Sequence, residues 1–241
     1  MKKTILNKPP IDQVIIAVEI PDLFTNKDDI DLFKEKFSLK KQYSNMQEIK
    51  SISFEIGETP KIINEVSEIY DFSNDAKTEQ LQIGQSKLLF IDRNKYTKFD
   101  NFISKFDKIL DDTHKIFKRD VNIKTIGLRY INIFDFNDET YKNHFKIKTD
   151  IGIKEEDIQF GLLNNFMSVF NIQSSINVNI YANIKTFFKL QNNNLFNIVF
   201  DIDTKRENVS NYKQDIIELK NFENEIFFNN FIDIETIKEF Q

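Results

Sequence analysis

The chain has no cysteine and no tryptophan, and only 5 glycines, 4 prolines and 2 histidines among its 241 residues. Each shortage excludes something. Without cysteine there is no disulfide framework, no thiolate nucleophile and no cysteine-ligated zinc. With so few glycines there is no phosphate-cradling Walker loop, no dinucleotide fingerprint and no Gly-x-Ser-x-Gly elbow. His114 and His144 are far apart in sequence and lack the spacing of a metal motif. Each reads as a surface residue, because a functional histidine needs an orienting partner. Arginine, the usual residue for forked recognition of phosphates and bases, occurs only at Arg93, Arg119, Arg129 and Arg206. Together with a net charge of −5 and a pI near 5.3, that argues against a nucleic-acid binder. No apolar run approaches the ~20 residues of a membrane helix. The lysines near the start are not followed by the apolar stretch of a signal peptide. The expectation is a cytoplasmic protein with no membrane contact, no cofactor and no metal.

What the chain does have is apolar bulk. Forty per cent of the residues are hydrophobic and 25 are phenylalanine, enough to build an interior and to rule out global disorder. The abundance of Phe, Ile, Asn and Lys matches the bias of an AT-rich genome and carries no functional meaning.

Residues 11–20 alternate and predict an opening strand ended by Pro21. Asp28 to Phe37 follows as a short amphipathic helix, with Asp28 and Asp29 at its positive N-terminal end. Ser51 to Ile56 alternates again. Glu58 to Asp75 fits a helix by spacing and a strand by its β-branched residues. Thr78–Ile83 and Lys87–Asp92 predict a hairpin around Gly84-Gln85-Ser86. Lys98 to Lys118 is the clearest helix, with Phe99, Phe102, Phe106, Ile109 and Leu110 at three- and four-residue steps. A strand over Val121–Phe136 comes next, then a short helix over Asp138–Phe145 and an irregular stretch over residues 151–163.

The last third predicts strands at Phe166–Ile172, Ile176–Ile184, Thr186–Gln191 and Leu195–Thr204, with Asn192-Asn193-Asn194 as a turn. A second long helix spans Asn211 to Phe228, where Asn211 and Gln214 have the spacing of a capping box. A short helix over Ile234–Phe240 follows. The expected fold is α+β, a mainly antiparallel sheet from two similar halves, each with one long amphipathic helix packed on it. No Pro- or Gly-rich linker separates pseudo-halves 1–120 and 121–241, so residues 1–241 are expected to form a single compact domain.

Two places could carry chemistry. Asp201 and Asp203 lie two apart on a predicted strand and share a face. They suit metal ligation or acid/base work, or a salt bridge across the sheet. The strand Ile126-Gly127-Leu128-Arg129-Tyr130-Ile131-Asn132-Ile133-Phe134 places a charge among apolar neighbours. An arginine there requires a carboxylate partner, and Asp201 or Asp203 is the best candidate. The functional alternative is a pocket lined by Arg129, Tyr130 and Asn132.

On these residues the chain resembles a sporadically distributed family of bacterial single-domain proteins with a Gly-Leu-Arg-Tyr-Ile-Asn strand motif and no assigned reaction. The resemblance runs through Pro9-Pro10-Ile11-Asp12-Gln13-Val14, Leu81-Gln82-Ile83-Gly84, Tyr96 to Phe102, Ile126 to Asn132, Asp201-Ile202-Asp203, and Leu219 with Phe222. Where family members tend to carry Leu-His, this chain has Leu219-Lys220. The resemblance implies a free-standing bacterial protein, with a distribution similar to that of mobile defence or toxin–antitoxin genes. The functional expectation is a non-enzymatic binding or regulatory module that acts through a protein partner. The alternative is a ligand-binding protein or enzyme with an anion-holding pocket between the halves, built from Arg129, Tyr130, Asn132, Asp201 and Asp203. The pattern leaves oligomeric state open.

Overall fold

The computed structural model describes residues 10–21, 23–24, 27–37, 39–55, 61–93, 98–118, 121–137, 165–174, 177–192 and 195–228. The expected helices at Asp138–Phe145 and Ile234–Phe240, the stretch 151–163, His144, Arg119 and the turn at 193–194 lie outside the described residues. The chain is α+β, with extensive antiparallel sheet and three helices among the described residues. It divides into two compact units, Val14–Ile126 and Met1–Gln13 with Gly127–Gln241. The chain passes between them inside two strands, β1 (Ile11–Glu19) and β6 (Thr125–Asn137).

In the unit Val14–Ile126 the strand order is β2-β3-β4-β5-β1, with β2 Asn45–Glu55, β3 Lys61–Ser73, β4 Glu79–Ile83 and β5 Lys87–Arg93. Successive pairs from β2 to β5 are antiparallel. From Lys61 to Ser73 the ambiguous segment is therefore a strand. Its β-branched residues suit a pleated surface, and pairing with both β2 and β4 decides the matter against helical spacing. β2 starts earlier than alternation predicted, because β3 extends to Ser73 and pairs it with Asn45.

Helix α1 (Lys27–Lys36) and helix α2 (Phe99–Phe117) cover this sheet with phenylalanine. Phe90 of β5 stacks on Phe102 and Phe106 of α2 at 5.3 and 6.5 Å. Phe33 of α1 meets Phe72 of β3 at 6.1 Å. Val14, Ile16, Leu81, Phe90, Phe106 and Ile109 are fully buried. Glycine scarcity leaves a mark here. The chain turns through left-handed backbone at Lys77, Lys118 and Asn208, where a glycine would be strain-free. Lys118 ends α2 in that conformation.

In the other unit the order is β6-β9-β8-β7, with β7 Asn165–Gln173, β8 Ile180–Asn192 and β9 Leu195–Glu207. β7, β8 and β9 form an antiparallel meander. The two strands expected over Ile176–Ile184 and Thr186–Gln191 are one, β8. No glycine or proline interrupts the segment, and its register with β9 runs without a break from Ile180↔Arg206 to Leu190↔Phe196.

Helix α3 (Tyr212–Ile226) packs on this sheet. It starts where the cap spacing predicted, since Asn211 Oδ1 accepts from the Gln214 N–H at 3.2 Å. Gln214 does not complete the box, for its amide donates to Glu218. Asp215 Oδ2 takes that role, accepting from the N–H groups of Ser210 and Asn211. Asn211→Ala should lower stability by about 1 kcal/mol, read from denaturant melts, and Asn211→Ser should recover most of it.

Candidate functional site

Strand alternation sorts the unit that holds Arg129 into two faces. Leu128, Tyr130, Asn132 and Phe134 of β6 point to the α3 side and are buried, as are Phe200, Ile202, Thr204 and Arg206 of β9. Arg129, Asp201, Asp203 and Lys205 lie on the opposite, more polar face. On that face the β8/β9 register sets Lys185 opposite Asp201, Asn183 opposite Asp203 and Tyr181 opposite Lys205.

Arg129 and Asp201 form a fork-to-fork pair. Nε donates to Oδ1 and Nη2 to Oδ2, both at 2.6 Å. The arginine side chain is 36% exposed and the carboxylate 6%. Burial alone would make that carboxylate costly, and two parallel charge-assisted bonds offset the cost. The hydrogen bond to Asp201 also holds the guanidinium more firmly protonated, against its own desolvation. The strand-centre arginine thus has the carboxylate its surroundings required. Asp203, one pleat further along β9, reaches solvent instead. The protein packed around it pushes its carboxyl above the usual range. The Arg129 charge opposes that rise and the Asp201 charge adds to it. Around Asp203 lie Arg129, Lys185 and Lys205, and Lys205 sits over the Tyr181 ring at 5.7 Å.

Tyr130 and Asn132 are on the other side of the same strand. Asn132 is buried and donates to the Phe200 carbonyl at 3.4 Å. Tyr130 lies under the ammonium of Lys220, 4.2 Å from the ring centroid. The five residues singled out by sequence therefore fall into two groups, Arg129, Asp201 and Asp203 on the polar face, and Tyr130 with Asn132 in the helix–sheet interface.

That interface contains charged groups, among them Arg206, whose place at a strand end suggests solvation but which is buried. Arg206 donates to Asp215 at 3.0 Å and also pairs with Glu218. Glu223 is 3% exposed, and neither of its carboxyl oxygens has a hydrogen-bond partner among the described residues. Burial pushes this carboxyl well above the usual carboxylate range, with the Lys220 charge opposing. Burial likewise lowers the Lys220 ammonium, with Glu223 opposing. A signal for Glu223 was present: it stands four after Leu219 and three before Ile226, squarely on the apolar face of α3.

The unit Val14–Ile126 holds its own polar cluster. Glu79 accepts from Lys105 at 2.7 Å, from Gln42 at 2.7 Å and from Tyr43 at 3.2 Å. Lys105 also reaches Asp92, which stands opposite Glu79 across the β4/β5 pair. Burial raises the Glu79 carboxyl, but these donors outweigh it and the net direction is down. The bonds from Lys105 to Glu79 and Asp92 tie α2 to the sheet.

No family model matches the chain, and no curated protein matches it. Among the described residues there is no group of three or more carboxylates or histidines placed to hold a metal ion. No described helix is long and apolar enough to cross a membrane.

Proposed function

We propose that this chain is a binding module acting through a protein partner, and that the partner meets the polar face of β6, β9 and β8. The observation that carries the reading is the charge array centred on Asp203. An exposed carboxylate is set among Arg129, Lys185 and Lys205, beside the Asn183 amide and the Tyr181 ring. Strands rather than loops hold these groups, and the Arg129–Asp201 fork locks the middle of the array. Both signs of charge are interspersed, which favours a protein of complementary mixed charge. A nucleic acid calls for a uniformly basic surface instead.

The reading of Arg129 as an anion holder in a ligand-binding protein or enzyme has less support. Nε and Nη2 each give an N–H to Asp201, so an incoming anion would meet only the remaining N–H groups of a guanidinium whose charge is already paired. A place in a mobile defence or toxin–antitoxin system rests on the family resemblance alone, and gene neighbours test it.

The test is a photo-crosslinker at position 183, used in the native host with the wild-type chain and with Asp203→Lys. A partner that crosslinks to wild type should bind the charge-reversed chain about tenfold or more weakly, since like charges at an interface cost several kcal/mol. Equal affinity for both chains would remove this face from the interface. Recovery of no partner at all would end the reading.

A further inference from the structure

The buried carboxyl of Glu223 plays no part in the surface just described, and its position is costly. Helix α3 meets its sheet at two ends. At the N-terminal end, Arg206 ties β9 to Asp215 and Glu218. At the C-terminal end the contacts are apolar, with Leu219 and Ile226 buried and Phe227 stacked on Phe134 at 6.3 Å. Glu223 stands inside this second contact. An ionised carboxylate there is 3% exposed and, among the described residues, has at most the Thr204 hydroxyl as a donor, an arrangement that burial penalises.

The groups that face Glu223 give little relief. From α3 comes Lys220, whose ammonium is held by Asn224 Oδ1 at 2.9 Å and lies over the Tyr130 ring of β6. From β9 come the charges of Asp203 and Asp201, both negative and both unfavourable to ionisation. Thr204 of β9 offers the carboxyl a side-chain hydrogen bond, in competition with its bond to the Leu128 carbonyl at 2.9 Å, and burial outweighs it. Arg206 is engaged at the other end of the helix. A neutral carboxylic acid suits this setting and a carboxylate does not.

We propose that Glu223 makes the last turn of α3 a protonation switch: neutral, it stays seated against β6 and β9, and ionised, it draws residues 223–227 off the sheet. The Arg206 anchor keeps residues 212–218 in place while the far end opens. The sign follows from linkage. Below the unfolded-state value near 4.5 the carboxyl is protonated whether the turn is open or closed, and the closed form keeps its full stability. As pH rises above 4.5 the open form ionises first, so the closed-to-open ratio falls by up to tenfold per pH unit until the seated carboxyl ionises as well. The direction of the shift sets the range to scan, upward from 4.5.

Amide hydrogen exchange on the full chain, corrected for the intrinsic rate, tests this between about pH 5 and pH 9. Wild type should lose protection at 223–227 with rising pH while 212–218 holds. Glu223→Gln should keep its low-pH protection across the range. Parallel pH profiles for the two chains would overturn the proposal, and so would a loss spread evenly over the whole helix. A carboxyl-carbon NMR titration of Glu223 in wild type gives a check that needs no variant. A midpoint above the ordinary glutamate range supports the switch, and one at or below 4.5 overturns it.

Discussion

Arg206→Met should destabilise the protein by about 3–5 kcal/mol in denaturant melts, the largest loss expected from any single charge removal in the α3 unit. The side chains of Arg206 and Asp215 are 11% and 2% exposed. Methionine matches the arginine stem in bulk, so packing is largely kept and the loss isolates the charge. What remains is a buried Asp215 carboxylate with its counter-ion gone. Asp215 still accepts from the N–H groups of Ser210 and Asn211, so it cannot simply turn to solvent without uncapping α3. Asp215→Asn in the Arg206→Met background should recover part of the loss, because the amide oxygen keeps an acceptor for those N–H groups without the charge. If Arg206→Met changed stability by less than about 1 kcal/mol, as a solvated surface pair would, the anchoring role of Arg206 would be refuted.

Arg129→Ala should cost about 2–3 kcal/mol, less than Arg206 because this guanidinium is partly exposed and water can replace some of its bonds. The cost arises at Asp201, left buried without its fork. Arg129→Lys should recover little, since an ammonium cannot present two parallel donors to both carboxylate oxygens. A double-mutant cycle with Asp201→Ala separates the pair from its surroundings. The double mutant should be more stable than the sum of the two single losses predicts, by about 1–3 kcal/mol. Additive losses would mean that the fork contributes no net coupling. A screen of small anions on wild type bears on function as well: under the binding-module reading none should raise the melting temperature, because the Arg129 charge is already paired with Asp201.

Much of the local structure was legible in the sequence because local physics decides it. Alternation marked β1 and part of β2, the turn at Gly84-Gln85-Ser86 marked β4 and β5, and an apolar run marked β6. Phenylalanine at three- and four-residue steps marked α2, and Asn211 marked the start of α3 to the residue. Arg129 betrayed its need for a carboxylate because a charge among apolar strand residues has few affordable solutions. The segment after Gly57 was undecidable, since Ile62, Ile63, Val66 and Ile69 satisfy two periods at once and only neighbouring strands choose between them. The join within β8 was hidden because nothing local indicates where a strand stops when its partner continues.

The sequence by itself determined composition limits, most element positions and which residues demanded partners. Cysteine, glycine and histidine chemistry is set by what is absent, and helix and strand periods are set by where side chains repel water. Tertiary structure alone decided which carboxylate each cation received. Asp201 and Asp203 stand two residues apart on one face, and only the placement of β6 beside β9 made the first the buried partner of Arg129 and left the second to solvent. It also decided that Glu223 would be enclosed, because a helix shows its apolar face in sequence but the depth of burial depends on the sheet it meets. Charge pairing and desolvation depend on distances between residues far apart in the chain, and those distances exist only once the strands are in register.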